Sequence, residues 1–263
     1  MKMKNVLLAL MFILVPMVGY AGVTGWWYDP GAPGTGLAVE AQGTHFFGVV
    51  FDYQNEPVDG VIRPCWYLLS GEEVAANKYA GRIYYVENWG VKEPQYSYTD
   101  VGGFELSYNG VDARINYENT RTGVTRFGYQ LTKFLENIGA KGSQNVQFTG
   151  WWVIMDGIGI FLEVVGDRMF AGKYFCFPAK EVDGHIEPGI PFWSSFTGNW
   201  EGTMANADEM VWKDGSHFGE ANYVEPMGLV LGKAKFFMKD GQFYLDESNN
   251  GKVLEVVLTR FHF

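Results

Sequence analysis

The chain has 263 residues, with 20 Lys and Arg against 30 Asp and Glu, a formal charge of −10, 17% aromatic residues and 34 glycines. An acidic chain repels nucleic-acid phosphates and anionic lipid, so neither is an expected partner. Aromatics and glycines in this proportion, with few runs of Ala, Leu, Glu and Lys, favour strands joined by tight turns.

The first segment reads as an address rather than as structure. Lys2 and Lys4 are followed by an apolar run from Val6 to Val18, broken by Pro16, and then by the small residues Gly19 and Ala21. That is the pattern of a secretory signal over residues 1–21, too short to span a membrane. No Cys lies near the cleavage point, so a lipid anchor is not expected. The lysine-rich start suggests bacterial export to the periplasm or beyond. No later stretch has the length of apolar residues that a transmembrane helix needs.

Two copies of one pattern follow. Thr-Gly-Trp-Trp occurs at Thr24 and again at Thr149. Gly36-Leu-Ala-Val-Glu40 is answered by Gly159-Ile-Phe-Leu-Glu163. Val58-Asp-Gly matches Val182-Asp-Gly, Trp66 matches Trp193, and Leu131-Thr-Lys-Phe matches Leu258-Thr-Arg-Phe. Five motifs in one order read as a tandem duplication, with domains at 22–137 and 148–263 and a polar, glycine-containing linker at 138–147.

Within each copy the period is two. Phe104, Leu106 and Tyr108 alternate with Glu105 and Ser107, and Val111, Ala113, Ile115 and Tyr117 alternate with Asp112, Arg114, Asn116 and Glu118. Leu254, Val256 and Leu258 share a face in the last strand. Half-buried strands of this kind belong to antiparallel sheets. Asn109-Gly110 and Asp240-Gly241 mark hairpin turns. The expected fold is all-β: two tandem antiparallel β-barrels or curved β-sandwiches, six to eight strands each, in meander order. Neighbours on a strand face opposite sides, so one Trp of each pair should plug an interior and the other lie outside.

The opening "GWWYDPGAPGTGLAVEAQG", with "CWYLLSG" and a closing strand like "LTRFHF", resembles a Gly-Trp-Trp-x-x-Pro repeat of secreted bacterial proteins. Copy two departs from it after Trp-Trp, having "VIMDGIG". The resemblance implies export and a β fold and no particular activity. Gly25-Trp26-Trp27 and Gly150-Trp151-Trp152 also resemble the Gly-x-Trp first strand of lipocalins and avidins. That resemblance implies a basic residue of the last strand, Lys133 or Arg260, over the Trp ring, a contact of about 0.5–2 kcal/mol.

The candidate ligand-binding residues are Trp27, Glu40, Trp66, Tyr67, Trp152, Glu163 and Trp193. Glu40 and Glu163 stand mid-strand between apolar neighbours. They face outward as ordinary polar residues, or face a Trp-lined cavity and bind a sugar hydroxyl or a cation, or act as a base. The aromatics fill cores or stack on a sugar or an apolar ligand. Asp59 and Asp183 precede Gly and read as turns. His45, His185, His217 and His262 are scattered, so no metal site, catalytic set or cofactor is expected. Cys65 and Cys176 either form a disulfide between the halves, contributing about 4–5 kcal/mol, or remain separate buried thiols.

These features favour an exported, non-catalytic binding or adhesion module for a glycan or small hydrophobic ligand. One alternative is an outer-membrane barrel, suggested by the terminal Phe263 and by His45, Phe47, Val49, Phe51 and Tyr53 on one strand face. Another is a hydrolase using Glu40 or Glu163.

Overall fold

The structure is a computed structural model that describes residues 22–29, 36–53, 64–110, 112–121, 124–137, 140–155, 158–176, 178–189, 191–212, 228–249 and 252–261. The expected signal, Asp59, His217, His262 and Phe263 lie outside the described residues.

Eight strands close barrel 1 in sequence order. They are β1 (Gly25–Tyr28), β2 (Gly36–Gln42), β3 (His45–Tyr53), β4 (Pro64–Ala75), β5 (Lys78–Asn88), β6 (Tyr96–Tyr108), β7 (Asp112–Asn119) and β8 (Val124–Lys133). Barrel 2 is built from β9 (Gly150–Met155), β10 (Ile158–Val165), β11 (Arg168–Cys176), β14 (Pro191–Glu201), β15 (Met204–Trp212), β16 (Gly228–Lys239), β17 (Gln242–Asn249) and β18 (Lys252–Arg260). A separate hairpin, β12 (Lys180–Val182) and β13 (His185–Glu187), is inserted after β11. Each barrel closes by pairing its first strand with its last, Trp27 opposite Lys133 and Trp152 opposite Arg260. Closure selects the barrel over the curved sandwich. It also removes the open edges a sheet would otherwise expose. One helical turn, α1 (Phe134–Asn137), follows β8.

The period-two pattern assigns the faces as expected. Phe104, Leu106, Ala113 and Ile115 join Trp27, Phe46, Leu69 and Tyr79 inside barrel 1, while Glu105 and Arg114 are exposed. The β2–β3, β4–β5 and β6–β7 turns of barrel 1 and the β10–β11, β14–β15 and β16–β17 turns of barrel 2 share one end of each barrel, and the other connections lie at the opposite end. Asp240 and Gly241 both take positive φ, 53° and 77°, as a two-residue type I′ turn requires. Asp183 and Gly184, at 49° and 76°, turn β12 into β13 in the same way.

A third apolar cluster lies between the barrels. Trp26, Val49, Phe51, Trp66 and Val86 of barrel 1 pack against Trp151, Phe161, Phe170, Cys176 and Trp193 of barrel 2. Each large side chain buried there contributes about 1.5–3 kcal/mol, so the seam is as strong as a core. Phe47 and Val49, outward on β3, face this seam. Away from it the outer faces carry charged and polar residues among scattered aromatics: Arg82 pairs with Asp100 at 2.7 Å, and Glu118, Asn206, Lys233 and Lys235 are exposed. Among the described residues no helix is long and apolar enough to cross a membrane.

Candidate functional site

The Thr-Gly-Trp-Trp motif has the same local chemistry in both barrels. Thr24 Oγ1 accepts from Ala41 N and Thr149 Oγ1 from Val164 N, each at 3.1 Å, tying the motif to the next strand. The second Trp points inward. Trp27 Nε1 donates to Val23 O at 2.7 Å, and Trp152 Nε1 to Phe148 O at 2.9 Å. A cation stands over each inner ring, Lys133 Nζ at 5.4 Å from the Trp27 centroid and Arg260 Cζ at 5.4 Å from that of Trp152. The first Trp of each pair points outward into the seam. Trp26 meets Phe170 edge-on at 4.9 Å, and Trp151 meets Phe161 at 4.9 Å.

Glu40 and Glu163 explain why the motif must be followed by a mid-strand acid. Both face outward, as alternation requires, but neither meets solvent: they are 0% and 1% exposed. Glu163 Oε2 accepts from Trp26 N, and Glu40 Oε2 accepts from Trp151 N, both at 2.8 Å. Each barrel therefore supplies a carboxylate to the backbone of the other barrel's first Trp. Glu40 Oε1 also takes Gln42 Nε2 at 3.1 Å and pairs with Arg260. Glu163 Oε1 takes Gln144 Nε2 at 3.0 Å. Gln144 comes from the linker, which is thus part of the seam rather than a loose spacer. The carboxylates approach so closely that a Cβ at Gly25 would overlap Glu163, and one at Gly150 would overlap the Arg260 guanidinium. Both glycines also hold positive φ, 146° and 135°. The two acids face the seam, on the opposite side of their strands from the inner tryptophans. Carboxylates buried and bonded in this way act as latches between the barrels.

The remaining candidates separate. Trp66 and Trp193 are seam residues, with Trp66 Nε1 donating to Phe175 O across the barrels at 3.0 Å. Tyr67 lies inside barrel 1, beside Tyr85 at 5.8 Å. Cys65 and Cys176 are both buried thiols and are not joined in a disulfide. Alternation sends Cys65 into the barrel 1 interior with Tyr67, while Cys176 lies in the seam against Val86 O at 3.7 Å. Burial, with Glu87 adding to it, pushes the Cys176 thiol up to about 12. Burial likewise pushes Tyr85 up to about 12, partly opposed by Arg121 over its ring at 3.8 Å.

One predicted aromatic does meet a cavity. At the turn-bearing end of barrel 2, Phe148, Trp152, Phe243 and Leu258 form the apolar floor of a crevice of ≈ 280 Å³. Gln147, Gln242, Thr259 and Arg260 supply its polar rim. Phe148 and Phe243 lie 5.4 Å apart, and Trp152 and Phe243 4.8 Å apart. The β16–β17 turn, the last residues of β18 and the segment before β9 converge here.

Sequence reasoning missed Phe148, Gln147, Gln242 and Phe243, because they come from two distant segments with no shared motif. It also missed Lys173 and Glu247, which pair inside barrel 2 with side chains 14% and 18% exposed. A period-two count along Arg168–Cys176 would have found Lys173, which shares its face with Met169 and Ala171. Among the described residues no group of three His, Cys, Asp or Glu is placed to hold a metal. Comparison of the chain with protein-family models, curated proteins and solved structures found no match.

Proposed function

We propose that the protein is an exported, non-catalytic binding protein made of two copies of one ancestral barrel, with a small-ligand site in the crevice of barrel 2. The observation that carries this reading is an aromatic floor of Trp152, Phe148 and Phe243 ringed by hydrogen-bonding side chains. Apolar rings offer a flat ligand face its contact, and the Gln, Thr and Arg groups fix its hydroxyls. A volume of ≈ 280 Å³ lies at the lower end of small-molecule pockets, which suits one sugar ring. Duplication is supported by matching registers, Trp152 pairing Ile160 as Trp27 pairs Leu37, and by the reciprocal latches.

The face polarity supports an aqueous setting. Apart from the Lys173–Glu247 pair, apolar side chains fill the interiors, and charges such as Arg82, Asp100, Glu105 and Lys235 stand outside, the inverse of a membrane barrel. The test is titration of Trp fluorescence with a panel of monosaccharides. Binding should appear for one class and weaken about tenfold in Gln147→Ala with Gln242→Ala, which removes two rim contacts. A panel without response, or binding unchanged in the double variant, overturns the reading.

A further inference from the structure

The outer face of barrel 2 carries a second recess, separate from the crevice. A groove of ≈ 430 Å³ is lined by Asn199, Asn206, Asp208, Lys233, Lys235 and Asp246, among others. The strand register sets Asn206, Lys235 and Asp246 side by side on three consecutive strands. Asp246 Oδ1 is buried there and accepts no hydrogen bond among the described residues. A carboxylate oxygen withdrawn from water without a donor is costly, and a ligand donor placed in the groove would supply the missing bond. Nearby, Lys233 is already paired with Asp208.

The next pair outward along the same two strands is aromatic. Phe237 and Tyr244 lie opposite each other with rings stacked at 5.4 Å and 15°. Tyr244 Oη donates to Gln242 Oε1 at 2.9 Å, and Gln242 is a rim residue of the crevice. Groove, aromatic pair and crevice thus follow one another along β17.

We infer that this groove is a subsite for a neutral oligosaccharide whose end unit occupies the crevice. The inference rests on the proposed crevice site for the class of ligand and extends it to a chain of several sugars. The chemistry of the lining selects that class. Amides of Asn199 and Asn206 both donate and accept, Lys235 donates and Asp246 accepts, which matches hydroxyls that do both. A balanced pair of charges, Lys235 and Asp246, does not favour an anionic chain. A peptide strand finds no edge to join in a closed barrel.

The experiment is calorimetric titration of the full chain with glucose, cellohexaose, maltohexaose, chitohexaose and hexagalacturonate. One of the three neutral hexamers should bind at least tenfold more tightly than a monosaccharide. Asp246→Ala with Asn206→Ala should abolish that chain-length gain while leaving monosaccharide binding unchanged and the melting temperature no lower. No loss of stability is expected because Asp246 Oδ1 has no hydrogen-bond partner to lose among the described residues. Gln147→Ala with Gln242→Ala tests the crevice separately, since it weakens monomer and hexamer alike. Affinity independent of chain length, a gain that survives the groove variants, preference for the uronate, or no binding by any hexamer each overturns the inference.

Discussion

The two barrels share a frame and differ in what fills it. At matched register, barrel 1 places Tyr79 and Phe104 inside where barrel 2 has Ala205 and Ala234. Barrel 2 in turn has Phe243 where barrel 1 has Ala113, each opposite the Leu of its closing strand. At the turn-bearing end Tyr108 covers Trp27 edge-on at 5.6 Å, whereas the corresponding Met238 leaves a crevice beside Trp152. Some matching identities stay inside, Trp27 with Trp152 and Leu131 with Leu258, but Thr24 and Thr149, Gly25 and Gly150, Trp26 and Trp151, and Glu40 and Glu163 build the seam and its supports. A core accepts many combinations of equal volume. A carboxylate that must reach one backbone N–H of a neighbouring barrel does not. The repeated motif is thus best understood as the rule by which the barrels bind each other.

The sharpest break of that comparison is at the two latches. Glu40→Ala strands the Arg260 guanidinium and the Trp151 N–H in a buried seam. Losing one partner of a buried pair costs about 3–5 kcal/mol, a fall in Tm of roughly 10 °C for a chain of this size. Glu163→Ala, which removes acceptors from Trp26 N and Gln144 Nε2, should cost less, about 1.5–3 kcal/mol. Calorimetric melting of the two variants checks the ranking. Equal losses would mean that the Arg260 pair adds nothing, and no loss in either would remove the latch account.

The interiors provide the second break. Lys173 pairs with Glu247 inside barrel 2, where register gives barrel 1 Val50 and Tyr117. Lys173→Val alone leaves Glu247 buried without its cation and should cost about 3 kcal/mol. Lys173→Val with Glu247→Tyr installs the barrel 1 pair and should recover most of that loss or exceed it. Urea unfolding of the single and double variants gives the coupling. A double variant as weak as the single one would show that the charges are held by more than each other.

The fold was legible because period-two alternation and Asn-Gly or Asp-Gly turns are local signals, and both are set by backbone geometry. They set the all-β meander and a range of six to eight strands per copy, while the count of eight and the closure of each barrel come from the strand pairing. The site was less legible. Alternation placed Glu40 and Glu163 outward, and outward normally means water. The sequence carries no mark that the other barrel covers that face, because the contact joins residues more than a hundred positions apart. Phe47 and Val49 raised the opposite question, since apolar side chains on an outer face suggested lipid, and barrel 2 covers them instead. Gln147, Phe148, Gln242 and Phe243 formed no motif, and only the closing of β9 against β18 brings them together.

Cys65 and Cys176 test the smallest difference between the barrels, one thiol inside and one in the seam. A thiol reagent at pH 8 should label neither in the native protein, because both are buried and the Cys176 thiolate is disfavoured by desolvation. In denaturant without reductant both should react, and failure to react there would restore the disulfide. The same burial gives a sign to the pH dependence. In the unfolded chain the thiol ionises near 9.0, while in the fold it does so at about 12. The unfolded state therefore binds fewer protons between those values, and stability falls as pH rises through them. Tyr85, displaced upward from 10.0 to about 12, acts in the same direction. Replacing Cys176 with Ala should remove its share of that alkaline loss, so the variant's Tm should fall less steeply above pH 9 than that of the parent. Parallel slopes would place the alkaline sensitivity in Tyr85 and the other buried phenols.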